Sequence, residues 1–193
     1  TEGSYRAVLA ANITDVAGNP LRGGEFSWDF TIEFIPTEVC GTISSDETWT
    51  IANIPYLITC EVTVEAGVTL TLEPGVVVKF NSWYEDMWIN GTLIADGTAE
   101  KPIIFTALAD DSVGGDTNGD GGASSPAINQ WGSLHFTSSS SGSVLNHTIV
   151  RYGGGQHPQN VWINTNDVSL TNNIIAYAEG NGLTLNNAQA RLE

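Results

Sequence analysis

The sequence predicts an all-β protein, most of which is a solenoid of short parallel strands. Three observations support this fold class. Apolar and polar residues alternate in short runs, the breaks between the runs are brief, and similar groups of runs recur along the chain. Alternation with a period of two predicts strands that bury one face. A chain that winds in coils, pairing each strand with its equivalent one coil later, accounts for all three.

The alternation is clearest in one stretch of the first half of the chain. Its three runs are Val62–Val64, Val68–Leu72 and Val76–Phe80. The breaks between them, Glu65–Gly67 and Glu73–Gly75, are too short for a crossover helix. Neither break contains the Asn-Gly or Asp-Gly pair that favours a two-residue hairpin. We therefore expect the breaks to be the corners of a coil.

Short apolar runs continue this repeat towards the end of the chain. They lie at residues 87–89, 93–95, 103–105, 132–136, 143–145, 148–150, 161–163, 168–170, 173–175 and 183–185. Late in the chain, Leu145 and Ile149 match Leu170 and Ile174 at a spacing of 25. Stacked coils of this kind should share one continuous core. We expect the run at 183–185 to be the last strand, opening a coil that the sequence does not complete.

The N-terminal residues follow a different pattern. An apolar run at 5–13 leads into the turn sequence Asp15–Pro20, and an aromatic strand pattern follows at 26–32. These motifs resemble the last two strands of a bacterial Ig-like domain. The resemblance implies that residues 1–35 are the C-terminal strands of an Ig-like β module, and that the solenoid occupies 36–193 and is truncated at its C-terminal end.

Composition narrows the classes of partner. The 193 residues include 6 Lys plus Arg and 22 Asp plus Glu, for a formal net charge of -16. Such a chain is repelled by nucleic acid and by anionic membrane surfaces, whereas calcium, cationic groups and neutral glycans are compatible with it. No apolar run is long enough for a transmembrane helix. The chain begins in mid-pattern and ends in Leu192-Glu193, which indicates an excised fragment, so the missing export signal carries no weight.

The order of motifs from residue 40 onwards also indicates a family. The motifs are Cys40–Ile43, Val62–Val64, Leu70–Val76, Asn90–Ala95, Lys101–Thr106, Asp110–Asp120 and Trp131-Gly132. Over about residues 40–180 they resemble the right-handed parallel β-helix domains of bacterial secreted and surface proteins, which have a pectate-lyase-like architecture. The resemblance implies a right-handed parallel β-helix in a secreted or cell-surface protein. It implies no reaction, because this architecture includes lyases, hydrolases, adhesins and spacers.

The only two cysteines are separated by about one coil. Cys60 follows Cys40 by 20 residues, and stacked positions in neighbouring coils would place their Cα atoms about 4.8 Å apart, within disulfide range. A disulfide is typical of an exported protein. The alternative is a pair of free, buried thiols.

A loop in the second half of the chain has the opening elements of a calcium site. Asp116, Asn118 and Asp120 occupy positions 1, 3 and 5 of a calcium loop, Gly121 follows at position 6, and the carbonyl of Gly122 is available at position 7. Hard oxygens at alternate positions of a tight turn favour calcium.

The loop departs from the calcium pattern at position 12, where Ala127 replaces a bidentate Glu. Asp110 and Asp111 precede the loop and could supply the missing oxygens. We expect calcium as a structural cofactor. The alternative is an acidic turn without metal.

The histidines and the basic residues give no catalytic pattern. The spacings of His135, His147 and His157 resemble no zinc motif, so these residues are expected on the surface or at corners. A polysaccharide lyase needs a base, often Lys or Arg, beside calcium-bound carboxylates. Lys79, Lys101 and Arg151 are candidates for that base. We expect none of the three to lie near a cluster of Asp on neighbouring coils.

Carboxylate pairs and aromatic residues are the remaining candidates for catalysis or for glycan binding. A glycosidase needs two carboxylates across a groove, but Glu85 and Asp86 lie at one corner and are expected to be solvated. Trp83, Tyr84 and Trp88 could form a platform for stacking sugar rings. Alternatively, these aromatic side chains pack over a corner.

The sequence therefore favours a non-enzymatic module of a secreted or cell-surface protein. It would act as a spacer or an adhesive, with a polysaccharide or a cell-surface glycan as the expected partner and no nucleic acid or membrane insertion. The alternative is the N-terminal part of a carbohydrate-active β-helix enzyme, a polysaccharide lyase or a glycoside hydrolase.

Overall fold

The computed structural model describes residues 3–10, 13–20, 26–32, 35–186, 188 and 191–192. They belong to two units, Thr1–Phe34 and Ile35–Glu193. The described residues form strands, turns and one 3₁₀ turn at Ile51–Asn53, with no α-helix among them. Residues 11–12 of the expected N-terminal strand and Glu193 of the C-terminal pair lie outside this description.

Eighteen strands are described. In chain order they are β1 (Gly3–Leu9), β2 (Phe26–Ile32), β3 (Thr37–Ile43), β4 (Glu47–Trp49), β5 (Tyr56–Val64), β6 (Thr69–Leu72), β7 (Val77–Phe80), β8 (Met87–Ile89), β9 (Thr92–Asp96), β10 (Ile103–Ala107), β11 (Leu134–Phe136), β12 (Ser143–Asn146), β13 (Thr148–Arg151), β14 (Gln159–Ile163), β15 (Val168–Thr171), β16 (Ile174–Ala176), β17 (Asn181–Leu185) and β18 (Arg191–Leu192).

The first unit contains the antiparallel pair of β1 and β2. The expected turn follows β1: the Asp15 carboxylate accepts hydrogen bonds from the N–H groups of Ala17 and Asn19, at 2.8 and 2.9 Å. The Asn19 side-chain amide also donates to this carboxylate. This bond and, after it, the two backbone bonds hold the pKa of Asp15 below its usual value. Trp28 and Phe30 on β2 stay about half exposed. The Ig-like origin of this unit stays a prediction.

The second unit is a parallel β-solenoid of about six coils, as the sequence predicts. Each complete coil contributes one strand to each of three rows. The first row contains β7, β10, β13 and β16, the second β8, β11, β14 and β17, and the third β4, β6, β9, β12, β15 and β18. β5 joins the first two rows, because Tyr56–Ile58 pair with β7 while Val62–Val64 pair with β8.

The corners form where the sequence predicts them. Val68 donates its N–H to the carbonyl of Glu65, and Val76 donates to that of Glu73, each at 3.1 Å. Gly67 has a φ of 81°, a left-handed conformation that glycine adopts without strain. Each corner redirects the chain by one tight turn, so that consecutive strands direct alternate residues, such as Val64, Leu70 and Val78, into the shared core.

The register of the late coils also follows the sequence. Leu145 pairs with Leu170, and Ile149 pairs with Ile174. The end of the chain differs from the expectation, since the two-residue strand β18 pairs with β15 after the run at 183–185. Two residues are too few to give a periodic signal in the sequence.

The predicted disulfide between Cys40 and Cys60 is confirmed. Their Cα atoms lie 5.0 Å apart on the neighbouring strands β3 and β5. The pairing of these strands shifts register between Val39 and Gly41, next to the first cysteine. The disulfide therefore ties the first coil to the second.

A long excursion, residues 108–133, leaves the coil between β10 and β11 and is held by two cations. The Lys79 ammonium is fully buried and donates to the carbonyl of Gly115 at 2.7 Å. The Arg151 guanidinium lies 2.6 Å from the carboxylate of Asp110. The expectation that these cations lie away from acidic clusters is wrong. The excursion folds back over the strands that bear the cations and brings its aspartates with it.

Asp110 is an ionised anchor of the excursion. Burial by itself raises its pKa, but hydrogen bonds from Ser112 and Thr106, together with the charge of Arg151, outweigh burial and leave the pKa lowered. A lowered pKa in the folded state stabilises the protein at pH values above the ordinary aspartate pKa of about 3.9, and this stabilisation is lost as the pH falls through the folded pKa.

Removing the disulfide should destabilise the solenoid. Cys40→Ser combined with Cys60→Ser should lower the free energy of unfolding by about 3 kcal/mol, because the crosslink closes a loop of about 20 residues in the unfolded chain. Urea unfolding of the parent and the variant measures the difference. Equal stabilities would show that the crosslink does not restrict the unfolded state.

Asp110→Asn should destabilise the protein at pH 7, and the deficit should shrink as the pH falls below about 4 and through the lowered pKa of Asp110, where the folded parent also loses this charge. Urea unfolding at a series of pH values measures the deficit. Glu100→Gln, at an exposed corner of the same unit, is the control and should change little at any pH. A deficit for Asp110→Asn that is independent of pH would contradict the ionised anchor.

Candidate functional site

Two groups of side chains in the solenoid unit bring possible metal ligands together. The acidic loop contains Asp111, Asp116 and Asp120, and the histidine cluster contains Asp86, His135 and His157. In each group, one ligand atom per residue lies within 4.8 Å of the others.

The acidic loop is organised by its own backbone. Asp116 accepts hydrogen bonds from the N–H groups of Asp120 and Gly121, at 3.0 and 2.7 Å. Asp120 accepts bonds from the N–H groups of Gly122 and Ala123, both at 2.8 Å. The carboxylates of Asp116 and Asp120, four residues apart in the chain, therefore lie close together even without an ion.

Asp111 faces these two aspartates. Burial raises the pKa of Asp111, and the nearby charges of Asp116 and Asp120 raise it further, while Lys79 opposes them. Its Oδ1 atom is buried and accepts no hydrogen bond from the residues that the structure describes. A cation at this point would relieve the repulsion among the three carboxylates.

The other predicted calcium ligands are placed differently. Asn118 lies within the loop, but its side-chain amide donates to Asp120 at 2.9 Å. Gly122 contributes its N–H to the same carboxylate. Asp110 belongs to the Arg151 pair, so Asp111 is the better placed of the two aspartates that precede the loop.

The histidine cluster was not expected from the sequence. The two rings meet edge to face with their centroids 4.5 Å apart, and Asp86 contacts both, with its Oδ2 atom 3.1 Å from His157 Nδ1 and its Oδ1 atom 3.6 Å from His135 Nε2. The Ser133 N–H also donates to Oδ1, at 2.7 Å. The Asp86 and His135 side chains are only 1% and 4% exposed. The expectation of solvated or surface positions for these two residues is therefore wrong.

His135 is buried by its neighbours in the stack. It points out of the core, as alternation predicts, but Trp88 and Trp162 occupy the equivalent positions one coil to either side. The ring centroids of Trp88 and His135 lie 4.1 Å apart, and those of His135 and Trp162 lie 5.0 Å apart. We call these three residues the aromatic row. Aligning the three strands coil by coil would have revealed it.

A recess of about 120 Å³ lies beside the aromatic row. Its wall is formed by the row together with Phe136, Thr137 and Asn164. Phe136, Thr137 and Asn164 lie at the C-terminal ends of β11 and β14, whereas Asp86 and Ser133 precede β8 and β11. His135 therefore belongs to both the recess and the histidine cluster.

The three aromatic residues grouped by the sequence divide between two surfaces. Trp88 belongs to the aromatic row, where its Nε1 donates to Glu61 at 2.9 Å. Trp83 and Tyr84 are 55% and 54% exposed, and their rings meet edge to face. Trp83 borders a separate open cleft of about 380 Å³.

Glu85 is structural rather than solvated. Burial raises its pKa, against the effect of the N–H groups of Ser82 and Asn81, which donate to its carboxylate at 2.9 and 2.7 Å. Its carboxylate closes the corner before β8. The third histidine, His147, lies at a corner with a φ of 47°, as expected.

Comparison with protein families gives one match. The family model described as a pectate-lyase like beta helix domain matches residues 41–191, which run from the last three residues of β3 to the first residue of β18. Comparisons with curated proteins and with solved structures found no match. Among the described residues, no helix is long and apolar enough to cross a membrane. The chain belongs to the family of pectate-lyase-like β-helix domains.

Proposed function

We propose that this chain is a non-enzymatic β-helix module of a secreted or cell-surface protein, a spacer or adhesive that binds a neutral polysaccharide along the aromatic row. The observation that carries the proposal is the row itself, in which Trp88 and Trp162 flank His135 beside a recess. Indole faces are suited to stacking on the apolar faces of sugar rings. Both indoles remain partly exposed, so a ligand can reach them.

Charge favours a neutral ligand over an acidic one. The formal net charge of -16 repels uronate polysaccharides at long range. The polar groups near the row, such as Thr137, Asn164 and the Glu61 carboxylate, are suited to binding hydroxyl groups. The net charge and the polar groups beside the row therefore both favour a neutral glycan.

The basic residues support a non-catalytic role. A lyase base has to reach the substrate, yet Lys79 is buried under the excursion and Arg151 is paired with Asp110. The alternative is the N-terminal part of a polysaccharide lyase or glycoside hydrolase. The disulfide favours an oxidising compartment, which suits either role.

We also propose that the acidic loop binds one calcium ion of structural function. Support comes from the convergence of Asp111, Asp116 and Asp120 and from the preference of calcium for carboxylate oxygens. Asn118, Asp110 and the Gly122 carbonyl would complete the coordination only after local rearrangement. The ion would neutralise repulsion among the aspartates of the excursion, which is anchored in the core further along by Trp131.

Truncating the aromatic row should weaken glycan binding. Trp88→Ala or Trp162→Ala should each reduce affinity for a neutral polysaccharide about tenfold, since an aromatic anchor typically contributes more than 1 kcal/mol. Affinity electrophoresis across a panel of neutral and acidic polysaccharides measures the change.

Trp28→Ala, in the N-terminal unit, is the matched control and should bind like the parent. If Trp83→Ala weakens binding and the row variants do not, the ligand uses the other surface. No binding by the parent would contradict the glycan proposal. Reproducible cleavage of a polysaccharide by the parent chain would favour the enzyme instead.

Calcium should raise the melting temperature. With a dissociation constant on the order of 10⁻⁴ to 10⁻³ M, as in extracellular modules, saturation at about 100 times that constant adds roughly 2.7 kcal/mol. For a chain of this size the expected shift is about 5–10 °C. Differential scanning calorimetry with calcium and with a chelator measures it.

The shift should disappear in the Asp116→Asn, Asp120→Asn double variant and persist in Glu100→Gln, which alters an exposed carboxylate outside the loop. If calcium shifts the parent and the double variant equally, or shifts neither, the loop is an acidic turn without metal.

A further inference from the structure

We propose that Asp86, His135 and His157 form a binding site for one zinc ion. This site is distinct from the acidic loop, and it contains the nitrogen ligands that the loop lacks. Two imidazoles and a carboxylate match zinc, which binds histidine nitrogen and carboxylate oxygen at about 2.0–2.2 Å. The site would have three protein ligands and one open position.

The distances suit a tetrahedral ion. Ligand atoms of a tetrahedral zinc site lie about 3.3 Å from one another, given bonds of about 2.0–2.1 Å. Oδ2 of Asp86 lies 3.1 Å from His157 Nδ1 and Oδ1 of Asp86 lies 3.6 Å from His135 Nε2, and one ligand atom from each of the three residues lies within 4.8 Å of the others. Small movements of the side chains would therefore complete the site.

A buried nitrogen without a partner points to a ligand. The His135 side chain is only 4% exposed, and its Nε2 atom has no hydrogen-bond partner among the residues that the structure describes. Leaving a buried polar group unsatisfied costs about 1–3 kcal/mol. A zinc ion held by Asp86 and His157 would satisfy this nitrogen.

Two glycines permit the close approach that assembles the site. A Cβ atom at Gly132 would lie 2.1 Å from Oδ1 of Asp86, and one at Gly155 would lie 1.9 Å from the backbone oxygen of Trp83. The first glycine leaves room for the carboxylate. The second lets the segment that carries His157 descend onto the neighbouring coil.

The stacked coils hold two of the three ligand side chains in place. His135 is held between the rings of Trp88 and Trp162, and Asp86 is fixed by the Ser133 N–H. Two of the three ligands are therefore preorganised, which reduces the entropic cost of binding. His157 is 25% exposed, and so the open position lies on the solvent side.

Zinc binding is tested by titrating the metal-free chain with zinc chloride in competition with a chromophoric chelator. We expect one zinc ion per parent chain. His157→Ala should weaken binding at least about tenfold, the lower end of the losses caused by removing even an outer-shell partner of a metal site. Substitution with cobalt should give the visible spectrum of a four-coordinate ion in the parent and not in the variant.

Two controls make the assignment specific. His147→Asn removes the remaining histidine, and asparagine tolerates the left-handed backbone at that corner. The Asp116→Asn, Asp120→Asn variant disables the acidic loop. Both should bind zinc like the parent.

The proposal is overturned if the parent binds no zinc, if His157→Ala binds as tightly as the parent, or if the loss occurs in either control. Because His157 is partly exposed, His157→Ala should keep the parent's circular dichroism spectrum without metal. His135→Gln, should it fold, repeats the test at the buried ligand.

Discussion

The parallel pairing of each strand with its equivalent one coil later is the constraint on which the rest of this structure depends. A single coil cannot bury its apolar face or satisfy its backbone groups, so neighbouring coils must stack in register. Register then places equivalent positions above one another, as for Leu145 over Leu170. Outward positions stack just as inward ones do, and for this reason Trp88, His135 and Trp162 form one row.

The excursion shows how the stack supports a segment with little core of its own. Lys79 on β7 is buried and donates to a carbonyl of the excursion, and Arg151 on β13 is partly exposed and pairs with one of its carboxylates. Negative charges repel one another within the loop, but the carboxylate of Asp110 helps to attach the excursion because it pairs with Arg151. The remaining aspartates, clustered and partly desolvated, are the origin of the calcium proposal.

The two proposed ligand surfaces meet at His135. One side of its ring borders the recess beside the aromatic row, and its Nε2 atom faces Asp86 on the other side. An ion in the histidine cluster would hold this ring in place between the two indoles. Glycan binding and metal binding would then be coupled through one side chain, although each stands on separate observations.

The sequence by itself determined the solenoid, its corners and the pairing of Cys40 with Cys60, because alternation and coil length are local properties of the chain. It also identified the aspartates that converge in the acidic loop, since turn chemistry acts over a few residues. Only the tertiary structure decided that His157 meets Asp86, 71 residues away, and that Lys79 and Arg151 hold the excursion. These contacts depend on how corners and loops of variable length fold over neighbouring coils, and loop length carries no periodic signal.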